Sequence, residues 1–320
     1  MTIHQTIDPA KAAPLMKTAA IASVLVATVL IVAKAIAWAM SGSVAMLGSL
    51  VDSGLDLMAS LTNLFAVRIA LVPPDEDHRF GHGKAEPIAG LFQSSIILGS
   101  SVFLLLQSGS RLMNPVVPDN SEIAIGVSVL AILLTFALVT YQRHVVSKTG
   151  SVAISADRLH YTGDLLLNLG VIVALLISAI TDYAWVDGLF GILIAIFIAR
   201  QAIKIFRQSI DMLMDKEFNQ PDRDRIFELV MGNDHVHGLH DLKTRQSGIS
   251  SFIQMHIELD PALSLFDAHH IADEVEATVG EAFSGAEIII HTDPFGLEDP
   301  DHTLSEAHRP VDKDRSDNKD

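Results

Sequence analysis

Asp52 and Asp56 stand four residues apart inside an apolar stretch, and His160 and Asp164 repeat that spacing about a hundred residues later. A separation of four puts each pair on one face of a helix. Ionisable side chains in an apolar span are costly, and they face partners or a pathway. Three carboxylates and one imidazole offer the oxygen and nitrogen donors of a tetrahedral Zn2+ shell. Protons and metal compete for such ligand atoms, so a shell with three formal negative charges takes up protons when the metal leaves. Imidazole, with a reference pKa of about 6.5, is the natural exchanger near neutral pH. A shell of this kind loads a metal from one side and releases it to the other against protons. The competing reading is two interhelical polar contacts, but four ligand-type residues in two matched pairs argue against it. Asn63 and Asn168, further along the same segments, read as packing groups.

Two further groups carry metal-ligand chemistry. The polar connection DEDHRFGHGKAE holds Asp75, His78 and His82, with a solvated loop as the alternative reading. Near the C-terminus, Phe252, Gln254, His256 and Glu258 alternate with Ile253, Met255, Ile257 and Leu259, so His256 points away from the buried face. A hairpin symmetric about Gly248 sets His240 opposite His256, with Cβ atoms about 5 Å apart. His291 and Asp293 share one face of a later strand, and His269 and His270 belong to the helix before it. His240, His256, His291 and Asp293 form a candidate cluster on one sheet surface, ordinary surface histidines being the alternative. His235, His237, His302 and His308 have no such geometry and read as incidental.

The elements that must position these residues follow from hydropathy. Six apolar segments are long enough to cross a bilayer: 18–40, 44–71, 87–112, 123–141, 152–180 and 185–206. Lys34 in the first has a stem long enough to snorkel toward a polar edge. Lys11, Lys17, Arg79, Lys84, Arg143, Lys148, Lys204 and Arg207 flank one side, and the other offers little beyond Arg111. This bias predicts cytoplasmic termini. The first residues lack a cleavable signal pattern. Beyond the sixth segment the pattern predicts a helix over 221–232, strands over 239–246 and 251–259, a helix over 263–283 and a strand over 286–292. The expected fold is an all-α six-helix membrane domain followed by an α+β domain of order αββαβ. The expected divisions are 1–17, 18–209, 210–295 and a disordered acidic tail over 296–320.

Composition divides the chain the same way. Residues 1–210 hold 13 acidic and 13 basic side chains, whereas residues 211–320 hold 25 and 9, which accounts for the net charge of -16. An acidic soluble domain argues against nucleic acid and suits a cation. With no cysteine in the chain, thiolate sites are excluded, and any transition-metal site uses His, Asp and Glu. No nucleophile–base pair, phosphate loop or cofactor fingerprint suggests an enzyme.

The stretches SGSVAMLGSLVDSGLDLMASLTN, DHRFGHGKAEP, ADRLHYTGD, HDLKTRQSG, FIQMHIELD and IIIHTDP together resemble the cation diffusion facilitators, over nearly all of residues 18–295. The resemblance implies a homodimer in a bacterial inner membrane, exporting Zn2+, Cd2+ or Fe2+ from the cytoplasm. It implies a transport site at Asp52, Asp56, His160 and Asp164, and a second site at Asp75, His78 and His82. It implies a ferredoxin-like cytoplasmic domain with a binuclear site at His240, His256, His269, His291 and Asp293, where Asp293 bridges two ions in a structural or regulatory role. A charge interlock near the dimer axis would use Lys84 and Asp215, with Arg245 as a third member. The chain departs from close relatives at Thr292, where they carry Gln, which weakens the second of the paired ions. The alternative to transport is a membrane-anchored metal sensor, which leaves the intramembrane quartet without a purpose.

Overall fold

The computed structural model describes residues 8–41, 44–113, 122–180 and 186–296, with backbone alone at 41, 44–45, 111, 122–125, 171, 174–180 and 186–187. The sequence expectations for residues 1–7 and for the tail beyond 296, including His302 and His308, lie outside the described residues, as does the side chain of Arg111. Two compact units divide at Met214/Asp215.

The first unit is helical: α1 (Pro9–Ser41), α2 (Val44–Ala70), α3 (Ala85–Met113), α4 (Glu122–Thr149), α5 (Val152–Ile180) and α6 (Val186–Leu213). Among the described residues, α1, α2, α3, α4 and α6 are long and apolar enough to cross a membrane. The fifth expected span is α5, of 29 residues. The outward faces present Leu25, Phe65, Phe103, Leu106 and Phe136, as helices solvated by lipid do.

Several helices outrun their apolar stretches because backbone capping, not hydropathy, ends them. α4 continues through Gln142, Arg143, His144 and Lys148 and stops where Gly150 takes φ 67, a conformation glycine adopts at little cost. Ser151 then caps α5, its hydroxyl accepting from the N–H of Ile154 at 3.2 Å. Buried Glu86, in the first turn of α3, accepts from the N–H of Ala153 at 3.4 Å, placing a carboxylate at the N-terminus of α5. These contacts fix where α5 begins, and therefore the position of His160 two turns further on. Packing between α3 and α6 is close: a Cβ on Gly188 would lie 2.8 Å from a Leu112 carbon, and one on Gly191 would overlap Ser108. Small residues at such crossings are how helices approach in lipid.

The second unit contains α7 (Gln220–Met231), β1 (Gly238–Ser247), β2 (Ser250–Leu259), α8 (Leu265–Ala282) and β3 (Ala286–Pro294), the expected αββαβ order. Asn219 and Ser264 cap the two helices, accepting from Asp222 and Asp267 N–H groups. β1 runs antiparallel to β2, and β2 parallel to β3. Ile253, Met255, Ile257 and Leu259 form the buried face of β2, packing with Ile226 and Val230 of α7 and with Val275 and Val279 of α8. The opposite face carries the histidines.

The hairpin register carries a correction to the symmetric picture. The ladder closes with Ser247 opposite Ser250, which continued evenly would set His240 opposite Ile257. A register shift between His240 and Lys243 restores His240 opposite His256. Asp241, at φ 48, absorbs the extra residue in the left-handed region that Asp and Asn tolerate and β-branched residues do not. Asp241→Val is expected to cost roughly 1–3 kcal/mol of local stability, read as faster amide exchange along β1 in the full-length protein. Asp241→Asn is expected to keep the wild-type exchange pattern.

Candidate metal centres

In the helical unit, α2 supplies Asp52 and Asp56, and α5 supplies His160 and Asp164. His160 Nε2 lies 3.0 Å from Asp56 Oδ1 and 3.7 Å from Asp164 Oδ2. Asp56, His160 and Asp164 each offer a ligand atom within 4.8 Å of the others. Asp52 lines the same cavity, of about 630 Å3, but is not part of that close trio. It sits one turn along α2 from Asp56, about 6 Å along the axis. Asn63 and Asn168, expected as packing groups, also line the cavity. So does Lys34. Its Nζ donates to the carbonyl of Ser49, at 3.3 Å.

A polar scaffold supports the quartet, and the sequence reading passed over it. Tyr161, next to His160, is buried, and its hydroxyl lies 2.7 Å from the Ser60 hydroxyl, one turn beyond Asp56. This bond ties the two ligand-bearing helices together beside the ligands, at about 1 kcal/mol for a neutral pair. The Tyr161 hydroxyl also reaches the Ser23 carbonyl on α1, at 3.3 Å. One turn before His160, fully buried Asp157 accepts from Ser23 at 2.5 Å and from Gln142 at 2.7 Å. Asp157 was discoverable as a further charge in an apolar helix. Its partners on α1 and α4 were not, because they sit on other helices, 134 and 15 residues away, and nothing in local spacing announces such contacts.

The loop between α2 and α3 gathers Asp75, His78 and His82. Asp75 Oδ1 accepts from the N–H groups of His78 at 2.7 Å and Asp77 at 3.0 Å. Above all the His78 N–H, joined by that of Asp77 and by the nearby imidazoles, holds the Asp75 carboxyl below the usual carboxylate range. Gly81 turns the chain at φ 74, bringing His82 Nε2 to 3.3 Å from Asp75 Oδ2 and the two imidazoles to 4.5 Å between centroids. His82 Nδ1 is buried with no protein hydrogen-bond partner. A carboxylate and two imidazoles fit a Zn2+-type ion, which takes both donor types.

In the second unit, the register sets His240, His256 and His291 in one row across β1, β2 and β3. Ring centroids are 5.2 Å apart for the first pair and 4.6 Å for the second. Asp293 sits at the centre: Oδ2 is 2.8 Å from His256 Nδ1 and 3.4 Å from His240 Nε2, while Oδ1 is 3.2 Å from His291 Nε2. His240, His256 and Asp293 offer ligand atoms within 4.8 Å of one another. This imidazole-rich set with a central carboxylate also fits a Zn2+-type ion. His269 stands apart from the trio, exposed on α8 with Asp273 3.7 Å away. Arg245 pairs with Asp215 at 3.4 Å and lies over the Phe252 ring at 4.2 Å. Lys84 belongs to the other unit, at the turn into α3.

A helical membrane unit with ligand-type residues lining a partly open cavity, joined to a small αββαβ unit with its own histidine cluster, defines a metal-handling membrane protein. The family model described as the cation efflux transmembrane domain matches residues 20–214, and that of the cation efflux protein cytoplasmic domain matches residues 219–295. The cation-efflux pump FieF of Shewanella oneidensis is 48% identical over 283 residues, covering 88% of this chain and 95% of that protein. The protein of the same name from Serratia proteamaculans is 43% identical over 285 residues, covering 89% and 95%. The metal-bound C-terminal domain of the CzcD transporter from Thermotoga maritima is 27% identical, covering 26% of this chain and 100% of that domain, at a TM-score of 0.24. The chain belongs to the cation efflux family, the cation diffusion facilitators. It is a membrane-embedded cation efflux transporter of that family.

Proposed function

We propose that the protein is a proton-coupled antiporter that exports Zn2+, with Cd2+ or Fe2+ as further cargo, from the cytoplasm across a bacterial inner membrane. The observation that carries this reading is the approach of Asp56, His160 and Asp164 inside a cavity that Asp52 also lines. Imidazole with carboxylates suits zinc-type ions, whereas all-oxygen shells suit Mn2+. Each ligand atom that releases the metal is a base that then binds a proton, which gives the exchange its chemistry. Both termini lie in the cytoplasm, as the basic connections favour, so the acidic unit samples cytoplasmic metal.

The protein works as a homodimer. Residues 211–295 carry 17 acidic and 5 basic side chains, so two such units repel. Cations bound at His240, His256, His291 and Asp293, with His269 as a further donor, reduce that repulsion and couple metal level to dimer conformation. Lys84, Asp215 and Arg245 form the charge interlock, and Asp75, His78 and His82 bind a further ion near the cytoplasmic face.

The test is uptake into proteoliposomes. Transporters with their cytoplasmic side outward should take up external Zn2+ faster when the lumen is acidic, because protons leave as metal enters. A protonophore should abolish the acceleration, and competition with Cd2+, Fe2+ and Mn2+ should rank the cargo. Zn2+ uptake indifferent to the pH gradient would contradict antiport. Zn2+ binding without any uptake would favour the sensor reading.

A further inference from the structure

We propose that Lys34 is a resident counter-charge of the transport cavity, which matches it to a divalent cargo and keeps that cargo releasable. The inference rests on the transport role of the quartet. Lys34 lies on α1, half-buried, among the residues lining the cavity with Asp52, Asp56, His160 and Asp164. Its ammonium donates to the Ser49 carbonyl, at 3.3 Å, one turn before Asp52 on α2. An ammonium in an apolar span normally stretches to the polar edge. One held in a cavity beside carboxylates marks a functional charge.

The charges lining the cavity are Asp52, Asp56, Asp164 and Lys34, beside His160. Three carboxylates and one ammonium sum to two negative charges. One divalent cation therefore makes a neutral complex with neutral His160. Without Lys34 the loaded cavity would keep one negative charge, which low-dielectric surroundings disfavour. The emptied cavity would hold three and grip the cation harder. Transport requires binding strong enough to load and weak enough to release. Lys34 shifts that balance toward release without occupying a ligand position.

Three variants separate charge from packing. Lys34→Arg keeps the charge, Lys34→Gln keeps a donor for Ser49, and Lys34→Met keeps only the stem. Zn2+ affinity of the cavity is read by calorimetry on the full-length protein, as the part of binding that Asp56→Ala removes. Turnover is read in proteoliposomes. At an effective dielectric of about 20, a unit charge several ångströms from a divalent ion alters its binding by more than about tenfold. Lys34→Gln and Lys34→Met should both bind Zn2+ at least about tenfold more tightly and turn over more slowly, while Lys34→Arg stays near wild type. Wild-type affinity in Lys34→Gln overturns the proposal, as does weaker binding there. A defect in Lys34→Met alone also overturns it, because the bond to Ser49 would then be what matters. If Lys34→Met fails to fold, Lys34→Gln decides. Should wild type bind Zn2+ yet not carry it, the transport reading fails, and the affinity comparison still tests the counter-charge.

Discussion

Replacing His160 by alanine is expected to lower Zn2+ uptake into proteoliposomes at least about a hundredfold, with Asp56→Ala close behind. His160 makes both short contacts of the trio, 3.0 Å to Asp56 and 3.7 Å to Asp164, and is its sole nitrogen donor. Outer partners of metal ligands already cost about 10–100-fold when lost, so loss of a ligand should cost more. Asp52→Ala should reduce transport less than either, because Asp52 lines the cavity without joining the trio. The ordering is what matters: Asp52→Ala as damaging as His160→Ala would mean that transport uses a different arrangement of the four ligands. The fold should survive these substitutions, since Tyr161–Ser60 and the Asp157 contacts to Ser23 and Gln142 hold α5 independently of the quartet.

The second large effect is expected at Asp293. This carboxylate reaches three imidazoles, one oxygen serving His256 and His240 and the other His291. Asp293→Ala removes the one carboxylate that reaches all three imidazoles and should weaken Zn2+ binding by the cytoplasmic unit by about a hundredfold or more. His269→Ala should cost far less, because His269 stands exposed beside Asp273. Spin labels on the two cytoplasmic units of the proposed full-length homodimer give a structural readout. Their separation should shorten across a Zn2+ titration in wild type and remain constant in Asp293→Ala. A constant separation in wild type would remove the regulatory role.

What the sequence disclosed and what it hid divide along physical lines. The paired spacing of Asp52 with Asp56 and of His160 with Asp164 was visible because helical periodicity is local. The face of β2 that carries His256 was visible because strands alternate. The pairing of His240 with His256 was reached by assuming a symmetric hairpin, and the actual turn is offset by one residue. The bulge at Asp241 compensates for that offset, and a single left-handed residue leaves no trace in hydropathy. The end of α4 at Gly150 lay beyond the apolar run, because hydropathy marks lipid-facing surface and capping marks where a helix stops, whereas α5 begins at Val152 as its apolar run does. The contacts of Asp157, Tyr161 and Lys34 join different helices, some neighbouring and some distant in sequence, so only the packed bundle reveals them.

The central claim is that one cavity exchanges metal for protons. The most direct measurement records luminal Zn2+ and luminal pH together in proteoliposomes, for wild type and for Asp56→Ala. Wild type should alkalinise an acidic lumen as Zn2+ enters, with the two signals rising in fixed proportion and both lost in Asp56→Ala. Zn2+ entry without luminal alkalinisation, or coupled signals that persist in Asp56→Ala, would contradict the account.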